Sequence, residues 1–175
     1  MKPPLWREEV IAKSHHRHAF DCGDAEVNDF LRRYARLSHE QSASKTFCAI
    51  DIETPSRVIG FYTITTSAVA SDMEYMATAQ ERAQHDIRGF KLARIATDRA
   101  VAGRGLGGQL LAAAALRCLR IAREVGSFLL IMDAKNARIA HWYASYGAVQ
   151  LKHAPLTLVL PLATFEQDLK ARGLL

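Results

Sequence analysis

At 175 residues the chain has the length of one domain with a single sizeable core, expected to span 1–175. Hydrophobic residues make up 49% and charged residues 23%, too polar a balance for a membrane protein. No apolar run reaches the length of a bilayer span, and "MKPPLWREEV" lacks the apolar segment of a secretion signal, so the expected compartment is the cytoplasm. A formal charge of +5 and a pI near 9.3 point to an anionic partner.

Residues 1–23 read as irregular. His15, His16 and His18 sit close together without companion acids, the pattern of an exposed basic segment rather than a metal site. Cys22, Cys48 and Cys118 are odd in number and widely spaced, with no C-x-x-C pair. That argues against a disulfide framework or a cysteine-rich zinc site and leaves buried or idle thiols. From Asp24 the apolar residues Val27, Phe30, Leu31 and Tyr34 recur at helical spacing, behind an acidic first turn of Asp24 and Glu26. Two strand-like runs follow, "TFCAIDI" at 46–52 and "RVIGFYTITTSA" at 57–68. The turn residues Thr54, Pro55 and Ser56 between them favour an antiparallel pair. Residues 71–86 read as mixed helix or loop.

"GFKLARIATD" at 89–98 reads as a strand leading into a glycine loop, and 106–125 as a long helix. Leu111, Ala115, Cys118, Ala122 and Val125 are expected on the buried side of that helix, and Gly126 is expected to end it. "FLLIMDA" at 128–134 has the continuous apolar run of a central strand. A short helix then runs to Tyr146 and stops at Gly147. "LTLVLPLATFEQDL" supplies another strand and a last helix. Strand, glycine loop, long helix and buried strand make a parallel β-α-β crossover. The expected fold class is therefore α/β or mixed α+β, with an antiparallel section at the front.

The loop places Gly103, Gly105, Gly107 and Gly108 directly before a helix. Glycine loses much conformational entropy on folding, so such a cluster needs a cause: a tight connection, or the close approach of a phosphate to the main chain. N–H groups at the positive end of a helix suit a pyrophosphate. "GRGLGG" lacks the Lys-Ser/Thr of a nucleoside-triphosphate loop and does not open a Rossmann fingerprint.

"LARIATDRAVAGRGLGGQLLAAA" followed by "DAKNARIAHWYASYGA" resembles the acyl-CoA-binding half of the GCN5-related N-acetyltransferases (GNATs). The family pattern Gln/Arg-x-x-Gly-x-Gly/Ala falls on Ala102 to Gly107; Gly105 and Gly107 match, and Ala102 replaces the polar first residue. The stretches "HAFDCGDAEVNDFLRRYA", "SKTFCAI", "GFYTITTSAV" and "LVLPLATFEQDL" resemble the TacT/AtaT type, the acetyltransferase toxins of bacterial toxin-antitoxin pairs. The resemblance implies a GNAT fold: a mixed, mostly antiparallel sheet with a parallel central pair, a phosphate-binding β-α turn and helices on both faces. It implies acetyl-CoA as cofactor, held by Ile95, Ala96 and Thr97 of a bulged strand, by Ala102, Gly103, Arg104, Gly105, Leu106, Gly107 and Gly108 of the loop, and by Asn136.

Tyr143 and Tyr146 lie three positions apart near the end of the short helix. By resemblance to the family pattern Phe-Tyr-x-x-x-Gly-Phe, Tyr143 is the tyrosine that protonates the sulfur of coenzyme A, with Trp142 and Ala148 in the flanking positions. Tyr146 is then structural. His141 and Asp133 lie near it in sequence, but His141 reads equally as a solvated helix residue and Asp133 as a strand end, which leaves the general base open. The resemblance also implies aminoacyl-tRNA as acceptor, acetylation of its α-amino group, arrest of translation, a homodimer and a ribbon-helix-helix antitoxin. Arg32, Arg33, Arg36 and Lys45, with Arg88, Lys91 and Arg94, are candidate RNA contacts. A small amine, polyamine or protein amine as acceptor, and a non-enzymatic module binding acyl-CoA or nucleic acid, are the alternatives.

Overall fold

The computed structural model describes residues 2–70, 86–126, 129–152 and 154–173; nearly all of the expected mixed segment 71–86 lies outside them. Among the described residues seven strands occur in the order β1 (Trp6–Val10), β2 (Lys45–Asp51), β3 (Val58–Ala70), β4 (Asp86–Thr97), β5 (Leu129–Asp133), β6 (Val149–Leu151) and β7 (Ala154–Pro161). The α-helices among the described residues are α1 (Ala25–Asp29), α2 (Ala35–Glu40), α3 (Leu106–Val125), α4 (Ala137–Ala144) and α5 (Leu162–Ala171). The sheet order is β1-β2-β3-β4-β5-β7-β6. Pairing is parallel between β4 and β5 and antiparallel at β1–β2, β2–β3, β5–β7 and β6–β7. This is the expected mixed fold, mostly antiparallel with one parallel pair.

Packing divides the chain into two compact units, Met1–Thr65 with Ala93–Ala114, and Thr66–Leu92 with Ala115–Leu175. The first has a core of Phe20, Phe30, Leu31, Cys48, Ile50, Val58 and Phe61. Phe20 meets Phe61 edge-on at 5.5 Å between ring centroids, and each fully buried ring of this kind contributes about 2 kcal/mol. β1 corrects the expectation of an irregular start: "WREEV" carries three charges, yet it pairs along its length with β2 from Trp6↔Asp51 to Val10↔Phe47. It is an edge strand, where charged side chains are tolerated and discourage further pairing. His15 is buried, not part of an exposed basic segment; its Nδ1 accepts from the Ala12 N–H (3.1 Å) and its Nε2 lies 2.8 Å from Glu9 Oε2.

The helix expected from Asp24 begins there, with the Asp24 carboxylate accepting from the N–H groups of Glu26 and Val27. It then widens into a π turn over Phe30–Tyr34. The wider turn moves the buried stripe by one residue, so Ala35 is fully buried while Tyr34, expected inside, is 52% exposed. At β3, a Cβ on Gly60 would lie 2.8 Å from Leu110 Cδ1 and 3.2 Å from the Ala96 carbonyl oxygen. Gly60→Val is accordingly expected to lower stability by about 2 kcal/mol, read as a drop in the urea midpoint at unchanged slope.

In the second unit, Leu129–Met132 of β5 and Leu158–Leu160 of β7 are buried, and α4 packs against β7. α3 has the expected limits, but Val125 is 72% exposed because the last turn outruns the core. Cys48 and Cys118 are buried, and burial pushes both thiols up to about 12, which makes them inert packing groups.

Candidate active site

The glycine loop lies wholly within the first unit. Asp98 fixes its base: one carboxylate oxygen accepts from the Ala100 N–H at 2.9 Å and the other from the Asp21 N–H at 3.2 Å. The chain then makes a single 3-10 turn over Arg99–Val101 and enters the loop. Gly103 and Gly105 have φ of +74° and +84°, a left-handed conformation that side chains rarely adopt, and open space lies where their Cβ atoms would stand. Among the described residues no acceptor takes the N–H of Gly103, Gly105, Leu106, Gly107 or Gly108. The last three open α3, where the first turn of any helix leaves its donors unpaired. Ala102 offers no side-chain donor, so recognition here rests on the main chain. Arg104 donates through Nε to the Lys2 carbonyl at 3.1 Å.

β4 pairs with β5 only from Phe90↔Leu130 to Leu92↔Met132 among the described residues, yet it continues to Thr97. Ile95, Ala96 and Thr97, half buried, occupy the part of the strand with no β5 partner. A strand edge of this kind can pair with an extended ligand.

Tyr143 lies in the second unit, on α4. Its side chain is 4% exposed, its ring packs against Trp142 at 5.1 Å between centroids, and among the described residues no protein group hydrogen-bonds its hydroxyl. The hydroxyl oxygen is not among the buried side-chain atoms left without a partner, so a buried ring presents an O–H that a ligand can reach, which marks a functional candidate. Burial, and secondarily the Asp133 carboxylate, pushes the phenol up to about 12, which keeps it protonated. Tyr146 differs in kind, since it is exposed and packs edge-on against the Trp142 ring. Asn136 caps α4, its Oδ1 accepting from the Ile139 N–H at 3.0 Å. His141 is exposed on the same helix.

Sequence reasoning did not find the cluster around Asp133 at the end of β5. Lys91 Nζ lies 2.6 Å from Asp133 Oδ2, and Thr157 Oγ1 donates to Asp133 Oδ1 at 3.0 Å. These contacts hold the Asp133 carboxyl below its ordinary range, Lys91 contributing most. Such a carboxylate is a weak base. The other candidate RNA contacts are largely engaged within the chain. Arg32 donates to the Phe20 carbonyl, Arg33 pairs with Asp29, Arg36 with Glu40, Lys45 donates to the His39 carbonyl, and Arg94 lies over the Phe30 ring at 3.8 Å. The Arg88 side chain lies outside the described set.

No family model matches the chain. It is 28% identical over 142 residues to a tRNA-acetylating toxin of Mycobacterium tuberculosis, covering 81% of this chain and 83% of that protein. It is 27% identical over 165 residues to a probable toxin TacT of Sinorhizobium fredii, covering 90% and 91%. Among solved structures it resembles a tyrosine-to-phenylalanine mutant of the AtaT toxin bound to acetyl-CoA and to the C-terminus of the antitoxin AtaR. That match has a TM-score of 0.78 and 25% identity, and it covers 93% of this chain and 96% of that one. These relatives and neighbours make the chain similar to the GNAT-type TacT/AtaT toxins. The glycine loop and the buried tyrosine lie on separate, individually packed units of the sequence. No helix among its described residues is long and apolar enough to cross a membrane.

Proposed function

We propose that the chain transfers an acetyl group from acetyl-CoA to the α-amino group of aminoacyl-tRNA and so arrests translation. The observation that carries the reading is the set of N–H groups of Gly103, Gly105, Leu106, Gly107 and Gly108, five donors with no partner among the described residues, at the positive end of a 20-residue helix. That array fits a diphosphate, and the tRNA-acetylating relative gives the acceptor. Gly103, Gly105, Leu106, Gly107 and Gly108 hold the diphosphate, and the unpaired edge at Ile95–Thr97 lines the extended arm. Acetyl-CoA, when bound, supplies the acetyl thioester.

Tyr143 keeps its proton on the phenol oxygen at neutral pH and is placed in chemical character to give it to a departing thiolate. An ordinary α-amino group titrates at about 7.7 to 8.0, and an ester beside it lowers that further. A substantial fraction of the acceptor is therefore neutral in the cell, and no strong protein base is required. Blocking this amine removes the nucleophile of peptide bond formation. The same reading includes a cytoplasmic homodimer neutralised by a ribbon-helix-helix antitoxin; the AtaT neighbour was solved with its own antitoxin's C-terminus.

Incubation with radiolabelled acetyl-CoA and total charged tRNA tests the proposal. Label is expected in aminoacyl-tRNA and not in uncharged tRNA. Label in polyamines or protein amines alone would replace the acceptor, and absence of transfer would leave a binding module.

A further inference from the structure

We propose that Asp133, clamped by Lys91 and Thr157, receives the α-ammonium group of the acceptor as it docks and selects for a free amine. The inference rests on the acetyltransferase reading above and names the group that recognises its acceptor.

Three elements hold the carboxylate in place. Asp133 ends β5, Thr157 opposes it across the ladder with β7, and Lys91 reaches it from β4. The ladder continues on β7 through the Ala134 N–H, which donates to the Leu156 carbonyl at 2.7 Å. A side chain fixed at both oxygens loses little further freedom when a ligand binds, which favours recognition. The carboxylate is nevertheless accessible, with its side chain 50% exposed. An ionised carboxylate offers about four acceptor sites; Lys91 and Thr157 use one on each oxygen, which leaves room for an incoming N–H.

The neighbourhood also fits. α4, which carries Tyr143, packs against β7, which carries Thr157. The Asp133 charge reaches the Tyr143 phenol strongly enough to contribute to its raised pKa. The phenol that serves the reaction therefore lies in the electrostatic field of the carboxylate that meets the amine.

Its chemistry separates anchoring from proton abstraction. Lys91 and Thr157 favour the ionised form of Asp133, so it is a poor acceptor of a proton, and an incoming ammonium shares the carboxylate with Lys91 through the lone pairs left free. The ammonium docks charged and loses its proton to solvent water. After acetylation the nitrogen is a neutral amide, and the attraction to Asp133 disappears. The product is thus held less tightly than the substrate, and an acceptor whose amine is already acylated is discriminated against.

The test measures binding of two RNAs to the whole chain: the charged tRNA that the wild-type protein labels best, and its N-acetylated product. Asp133→Asn is expected to weaken the charged tRNA about tenfold, the value of one hydrogen bond to a charged group, and to leave the product unchanged. Equal weakening of both would show a merely structural role and overturn the inference, as would no weakening of either. A wild-type measurement stands independently of whether the variant folds. The preference for charged tRNA over product is expected at about pH 6 and lost at about pH 8.5, where the amine is neutral. A preference that does not change with pH overturns the inference while leaving the acetyltransferase reading intact. A wild-type protein that labels no tRNA overturns the parent reading first.

Discussion

Tyr143→Phe is expected to reduce acetyl transfer by roughly 10²- to 10⁴-fold, the range supplied by a positioned general acid, while the protein folds and binds acetyl-CoA as before. The substitution removes a single oxygen. The ring, 4% exposed and packed on Trp142, keeps its contacts. Because no protein group among the described residues hydrogen-bonds the hydroxyl, its loss orphans no partner, and stability is expected to stay within about 1 kcal/mol. Tyr146→Phe is the control: that side chain is exposed, and transfer is expected to be unchanged. The phenol, raised to about 12, is protonated throughout the neutral range, so its ionisation is expected to cause no alkaline loss of activity near neutral pH. Single-turnover transfer with saturating acetyl-CoA separates this chemical effect from binding, and wild-type rates in Tyr143→Phe would remove the residue from the reaction.

Gly105→Val is expected to weaken acetyl-CoA roughly 10- to 100-fold with little change in the core. The reason is conformational rather than steric, since φ is +84° and the Cβ would enter open space. A β-branched residue held there costs about 1–3 kcal/mol. The loop relieves that strain by leaving the left-handed region, which turns its N–H groups away from one another. Gly126 provides the matched control at φ +76°, at the other end of the same helix. Gly126→Val carries similar strain and is expected to lower stability without touching the affinity. Calorimetric titration of both variants checks the contrast; equal losses of affinity would detach binding from the loop.

How much of this was legible in the sequence differs from element to element. α3 could be bounded at 106–125 because a glycine precedes its first leucine and another follows its last valine. β1 could not, because charges at Arg7, Glu8 and Glu9 hide the strand pattern, and its partner β2 lies more than thirty residues away. β6, three residues long, is too short to carry a period. The π turn defeated a regular helical count by one residue and exchanged Tyr34 for Ala35 in the core.

At the site, the glycine cluster alone left a tight connection and a phosphate cradle both open, and the resemblance chose between them. Tyr143 was distinguished from Tyr146 by resemblance and not by spacing; only burial separates them physically. The Lys91, Asp133 and Thr157 cluster depends on register across three strands, which no local pattern encodes. Sequence alone does not show that Arg33 meets Asp29 or that Arg94 covers Phe30.

The most direct measurement is amide NMR of the ¹⁵N-labelled chain titrated with coenzyme A, following Gly103, Gly105, Leu106, Gly107 and Gly108. Saturable downfield shifts confined to these amides and to the neighbouring strand end at Ile95–Thr97 are expected as their N–H groups take up phosphate and pantetheine oxygens. Unshifted loop amides in a protein that nevertheless binds coenzyme A would contradict the account.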